Sequence, residues 1–230
     1  MTWRVIRARG RAADLFGPRD YEDVPTLIVC QVESPALVLG STQPASVVVP
    51  APPVDVVRRR SGGGAVLVGP DHVFWVDVFV PTGHALWEAD VGRAFWWLGD
   101  VWAETVRSLG VDGAVVHRGP LITTPWSPLV CFAGLGPGEV TIGAGDDKAG
   151  GKAVGVAGGK AVGMAQRRTR EGSLFQCALA LSWFPEQMLA LLDLPDGARR
   201  GAQDELRHVA HPIGSRTVDD CTMALLGHLP

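Results

Sequence analysis

The chain has 230 residues, a formal net charge of −3 and four cysteines far apart in the sequence. That length accommodates one large domain or two small ones, and the charge balance excludes a general electrostatic pull towards nucleic acid or anionic membrane. No apolar run reaches the ~20 residues that cross a bilayer, the basic start MTWRVIRARGRAADLFG lacks the apolar stretch of a secretory signal, and the absence of a CxxC pair speaks against a zinc site or disulfide framework and for reduced thiols in a cytoplasm.

In chain order, TLIVCQV (26–32) and PALVLG (35–40) read as strands separated by a turn at Glu33-Ser34. VDVV (54–57) is a further strand, leading into RRRSGGGAVLV. HVFWVDVFV (72–80) follows a Gly-Pro-Asp turn, and because both of its alternating faces are mostly apolar it reads as a central strand covered on both sides. Val91, Phe95, Leu98, Trp102, Val106 and Leu109 recur at helical spacing and predict a helix from Glu88 to Leu109, stopped by Gly110. Residues 117–138 are rich in proline and read as a long connecting loop, a kind of segment that tends to carry function. SLFQCALALSW (173–183) is a strand or a buried helix, with strand favoured by its place after a glycine-rich hairpin. Shorter helices are predicted at Pro185–Leu192, and at Arg216–Leu226 behind a Ser215 cap. Strands and helices mix without a βαβ rhythm, so the expected class is α+β, a mainly antiparallel sheet with helices packed on it.

Three stretches could carry chemistry. In Arg58-Arg59-Arg60-Ser61-Gly62-Gly63-Gly64-Ala65-Val66 the glycines bare the main chain for a ligand, and the arginines suit a phosphate or carboxylate. The same run can also be a hairpin turn with solvated arginines. In Gly159-Lys160-Ala161-Val162-Gly163-Met164-Ala165-Gln166, small residues surround a lysine that can hold a carbonyl or phosphate oxygen, or simply be solvated. Cys131 is the only cysteine in the proline-rich loop, and is either a nucleophile activated by basic neighbours or a buried, inert thiol. Cys30, Cys177 and Cys221 lie in apolar strand-like or helical runs, where cysteine behaves as a small hydrophobe.

Taken together, the Arg58–Val66 loop, the Lys160–Gln166 segment and Leu39-Gly40-Ser41-Thr42-Gln43 at an early strand end resemble the lipoate–protein ligase and octanoyltransferase family, relatives of the biotin–protein ligases. The resemblance spans roughly residues 26–183. It implies a single biotin/lipoate ligase-like catalytic domain over 1–230, with the class II aminoacyl-tRNA synthetase/biotin ligase-like α+β architecture. It implies that Arg59, Arg60, Ser61, Gly62, Gly63, Gly64 and Ala65, with Gly163 and Ala165, bind the acyl group and the nucleotide or thioester end of the donor, and that Lys160 contacts the reacting carbonyl. Residues Leu67–His72 depart from the His-Asp pair usual in lipoate ligases, and Cys131-Phe132 resembles the branch that moves acyl chains through a cysteine thioester. The expected function is therefore transfer of an octanoyl or lipoyl group to a lysine of a lipoyl domain with Cys131 as nucleophile. The alternatives are an ATP-dependent lipoate ligase acting through lipoyl-adenylate, and a non-catalytic lipoate- or acyl-binding homologue. The transferase requires no cofactor, the ligase ATP and Mg, and neither a resident metal. The expected partners are lipoyl domains of 2-oxoacid dehydrogenases or the glycine cleavage H protein, and acyl carrier protein as a possible donor, with no nucleic acid and no membrane.

Ala149–Val156 and Ala157–Met164 are two copies of an eight-residue unit differing at the last position. A strand alternates faces with period two, so either Lys152 or Lys160 could hold the register. The residues that follow decide for Lys160, since Met164-Ala165-Gln166-Arg167-Arg168 continues the family pattern, and Ala149–Val156 reads as extra hairpin loop that settles over the donor. Arg167, Arg168 and Arg170 are either a basic rim for an acidic lipoyl domain or a solvated strand end.

Overall fold

The computed structural model describes residues 2–17, 19–143 and 158–230. Lys152 and the loop assigned to Ala149–Val156 lie outside them. The elements are β1 (Arg4–Gly10), α1 (Ala12–Leu15), β2 (Thr26–Val32), β3 (Ala36–Leu39), β4 (Asp55–Arg58), β5 (Val66–Val68), β6 (Val73–Pro81), α2 (Trp96–Ser108), β7 (Ala114–Val116), β8 (Val140–Ile142), β9 (Gly159–Arg168), β10 (Gly172–Ala180), α3 (Pro185–Ala190), α4 (Asp196–Leu206) and α5 (Val218–Leu226). No helix among the described residues is long and apolar enough to cross a membrane.

Seven strands form one sheet in the order β1-β2-β6-β10-β9-β8-β7, antiparallel except for the parallel pair β1–β2. Three more, in the order β4-β3-β5, form a small sheet. The expected α+β class with a mainly antiparallel sheet is what the chain adopts. The central position read for residues 72–80 follows from their apolar faces: β6 lies between β2 and β10, and every residue from Phe74 to Pro81 is buried.

The period of two then sorts the layers. Phe74, Val76, Val78, Phe175, Cys177 and Leu179 on one face of the large sheet pack against Leu98, Val101, Trp102 and Val106 of α2 and Cys221 and Leu225 of α5. On the opposite face, Trp75 joins Val38 and Val68 of the small sheet in a second cluster. Leu37 and Leu39, on the far side of β3, pack against Met188, Leu189, Leu192, Ala202 and Leu206 around α3 and α4. The small sheet is thus sandwiched, and the space between the sheets is where the site lies.

Several boundaries differ from expectation. The helix predicted from Glu88 begins as a short 3-10 turn at Arg93 and as α-helix only at Trp96. Asp90 caps the turn by accepting from the Arg93 backbone N–H at 2.8 Å, and the carbonyls of Glu88 and Ala89 accept from Arg168, which holds this stretch out of the helix. The last helix is capped by Thr217, not Ser215, in a reciprocal capping box with Asp220. Strand β10 ends at Ala180, and β1 and α4 have no counterpart in the sequence reading.

Candidate active site

The glycine loop first contacts protein. A Cβ on Gly40 would sit 1.9 Å from the Gly63 carbonyl oxygen, and one on Gly64 would sit 2.6–2.8 Å from backbone atoms of Val130 and Cys131. Bare backbone at both places lets three segments touch. The Ala65 N–H donates to the Leu129 carbonyl at 2.8 Å, and the Cys131 N–H donates to the Ala65 carbonyl at 2.9 Å. Gln43 completes the joint: its Oε1 accepts from the Gly40 N–H at 2.9 Å, and its Nε2 donates to the Pro128 carbonyl at 2.9 Å. The loop from Arg58 to Ala65 is therefore the shelf on which the Cys131 loop rests.

The arginines brace this shelf. Arg58 donates to the carbonyls of Gly40 and Gln43. Arg59, buried at 5% exposure, donates to the carbonyls of Gly62 and Gly64 at 2.6 and 2.9 Å. Arg60 faces a polar chamber described below. Ser61 donates from Oγ to Gln176 Oε1 at 3.0 Å. Gly62 and Gly63 are exposed, while Gly64 and Ala65 are buried against the Cys131 loop.

Lys160 enters from the other side. Its backbone N–H donates to the Val209 carbonyl, its carbonyl accepts from the His211 N–H, and it stands opposite Thr141 of β8, next to a register shift between that pair and the Val140–Val162 pair. Its side chain is 2% exposed. Nζ donates to Glu139 Oε2 at 2.8 Å and to the Cys131 carbonyl at 2.9 Å, and lies 5.5 Å from the centroid of the Phe132 ring. Glu139, 4% exposed, also accepts from the backbone N–H groups of Gly136 (2.6 Å) and Met164 (2.9 Å). An ammonium has three N–H groups, and here two of them hold the carboxylate and the Cys131 loop together.

Between the sheets runs a narrow apolar cleft, with Val66 and Val68 on one side, Trp75, Gly163, Ala165 and Ala178 on the other, and Cys131, Phe132 and Arg59 on its wall. Cys131 is partly exposed. Cys177 also borders the cleft but is buried, and that burial pushes its thiol well above the usual range, as it does for Cys30. Cys221 is pushed up to about 11, again by burial. Gly163 brings bare backbone to the wall: a Cβ there would lie 3.7 Å from Glu139 Oε1 and from Lys160 Cδ, and 3.8 Å from Phe132 Cζ. Of the residues singled out from sequence, Arg59, Cys131, Gly163 and Ala165 line the cleft, and Lys160 sits directly behind Gly163 and Phe132.

Beyond Phe16 and Gln176, which border both spaces, the cleft meets a wider polar chamber of about 350 Å³ that Arg19, Tyr21, Arg60, Asp77 and Arg167 help to line. Asp77 is 2% exposed, accepts from Trp75 Nε1 at 2.7 Å and has Arg19 Nη1 at 3.7 Å. Burial pushes its carboxyl up to about 6, and pushes the Tyr21 phenol, with the Asp77 charge adding to it, up to about 12. The basic rim read at Arg167, Arg168 and Arg170 is divided: Arg167 faces the chamber, whereas Arg168 is bonded to the carbonyls of Glu88 and Ala89 and stacks over Trp87. Sequence reading missed Glu139 and Asp77. A lone acid inside the apolar strand VFWVDVFV is a visible signal for Asp77; nothing local marks Glu139.

A family model described as the lipoyl protein ligase A/B catalytic domain matches residues 15–215. The chain belongs to that family. No curated protein matches the sequence. Among solved structures, it is similar to a bipartite lipoate protein ligase from Thermoplasma acidophilum, described with its E2 lipoyl domain (TM-score 0.72, 17% identity, 99% of this chain and 82% of that one). It is also similar to lipoate-protein ligase A bound with ATP (TM-score 0.68, 16% identity, 99% and 84%). A third likeness is to a T. acidophilum protein with bound lipoic acid (TM-score 0.69, 16% identity, 99% and 84%). At these identities the likeness is one of fold, the fold these lipoate ligases share.

Proposed function

We propose that this lipoate ligase-family protein transfers an octanoyl or lipoyl group to a lysine of a lipoyl domain through a thioester on Cys131. The observation that carries this reading is the position of Cys131: a partly exposed cysteine on the wall of an apolar cleft, whose own carbonyl is bonded to the buried Lys160. The cleft suits the acyl chain. In the first step the Cys131 sulfur attacks the carbonyl carbon of a donor thioester, the donor C–S bond breaks, and the donor thiol departs with the cysteine proton. In the second, the acceptor lysine amine attacks the new thioester, an amide forms, and Cys131 recovers its proton. The third N–H of Lys160 is the group available to the oxygen that gains charge in both steps, and an ammonium held rigidly in a dry site acts there without reorganising. The donor thioester is already activated, so no nucleotide enters.

A second reading is favoured by the likeness to a ligase bound with ATP: an ATP-dependent ligase in which Cys131 is only a wall residue. Intact-mass spectrometry separates the two. Mixed with octanoyl-carrier protein and no ATP, the wild type is expected to gain an octanoyl mass that hydroxylamine removes and that Cys131→Ser does not form as a hydroxylamine-labile adduct. If no adduct forms, but lipoate, ATP and magnesium together modify an apo lipoyl domain, the ligase reading replaces the transferase.

A further inference from the structure

Cross-strand partners on the large sheet place the floor of the cleft, and of the polar chamber beyond it, in three successive rows. Trp75, Ala178 and Gly163 form the first, Asp77, Gln176 and Ala165 the second, and Phe79, Leu174 and Arg167 the third. Directly opposed residues share a face, and rows on one face are about 7 Å apart. The first row adjoins Lys160 through Gly163, and Cys131 lies on the wall above it. An acyl chain whose carbonyl sits there and which lies along the strands reaches the second row next, and that row is polar.

We infer that the junction of the cleft with the polar chamber is a subsite for an acyl chain ending in a neutral hydrogen-bonding group, such as a hydroxyl or an amide, read by Gln176 at the junction and by Asp77 and Arg19 just beyond it. The inference rests on the acyl-group reading above and names the class of acyl group. Asp77 is buried in an interior strand of the sheet, where Trp75 donates to its Oδ1 at 2.7 Å and the Gln176 side chain also reaches it, while a carboxylate has about four acceptor sites. Arg19 Nη1 is buried, has no hydrogen-bond partner, and stands 3.7 Å from Asp77. Ser61 orients Gln176 from across the cleft. A methyl terminus there would cover these groups and return no hydrogen bond, which is unfavourable. The charges lining the chamber balance, with Arg19, Arg60 and Arg167 against Asp20, Asp77 and Glu171, and this favours a neutral terminus over an ionised one. The raised Asp77 carboxyl is consistent with a group able both to donate and to accept near neutral pH.

The test is isothermal titration of the full chain with octanoic acid and with ω-hydroxyoctanoic acid. One or two added hydrogen bonds are expected to make the hydroxy acid bind about tenfold tighter. Asp77→Leu is expected to abolish or reverse that preference. If this variant fails to fold, Gln176→Leu at the junction carries the same expectation. Equal or tighter binding of octanoic acid by the wild type overturns the subsite. If Cys131 also accepts octanoyl from a thioester, the subsite alone is wrong. If neither acid binds and Cys131 gains no acyl mass, the acyl reading fails with it.

Discussion

The Nζ of Lys160 and the Oε2 of Glu139 lie 2.8 Å apart in a place closed to solvent, with side-chain exposures of 2% and 5%. Lys160 lies in β9 and Glu139 immediately precedes β8, its neighbour in the large sheet; the second carboxylate oxygen and a second N–H of the ammonium tie in Met164 and the Cys131 loop. Breaking such a pair leaves one charge buried alone. Lys160→Met is therefore expected to lower unfolding stability in urea by about 3–5 kcal/mol. The neutral double variant Lys160→Met/Glu139→Gln is expected to recover part of that loss. A single-variant loss below about 1 kcal/mol, typical of an exposed pair, would show that the pair is not closed to solvent.

Gly163 separates the cleft from Lys160. An added methyl meets neighbours only at 3.7–3.8 Å, ordinary contact distance, so Gly163→Ala is expected to keep the protein folded with a change within about 1 kcal/mol. The methyl fills the approach from the cleft to the ammonium. Loading of Cys131 by an octanoyl thioester is expected to fall at least about tenfold, the effect of removing a fraction of one oxyanion contact. Unchanged loading would place the reacting oxygen elsewhere.

Gly40→Ala and Gly64→Ala should behave differently from Gly163→Ala. Their methyl groups meet rigid backbone at 1.9 Å (Gly63) and at 2.6–2.8 Å (Val130 and Cys131), so the contact is relieved only by moving the glycine loop on which the Cys131 loop rests, or the Cys131 loop itself. A loss of about 1–3 kcal/mol or more is expected, together with faster alkylation of Cys131 as its loop lifts. Melting temperatures equal to wild type would argue against the close approach.

Asp77 makes stability depend on pH. Its folded carboxyl titrates near 6, above the ordinary value of 3.8, so between those values the folded state binds more protons than the unfolded one. Stability then falls as pH rises through that window, by an amount on the order of 3 kcal/mol. Asp77→Asn carries no such charge. Its melting temperature relative to wild type is expected to increase from pH 5 to pH 8; a constant difference would mean that Asp77 is not raised.

Strand β6 and the faces of the large sheet were legible because alternation of apolar residues is a local property of the chain. So was the Lys160-Ala161-Val162-Gly163 frame, which recurs beside a cleft with its glycine on the wall. The start of α2 was not legible, because Arg168, far along the chain, holds the carbonyls of residues 88 and 89. Nor was the main use of the glycine loop: its triplet reads as a cradle for ligand, but Gly64 is bare because the Val130–Cys131 backbone passes against it. By itself the sequence determined the class of fold, and it singled out a lysine and a cysteine that the structure brings into contact, Lys160 Nζ donating to the Cys131 carbonyl. Only the tertiary structure decided that Glu139 holds Lys160 and that Asp77, Gln176 and Arg19 meet at one end of the cleft. A residue's own pattern specifies the face it occupies; its partner on another strand depends on register and sheet order, which no local stretch encodes.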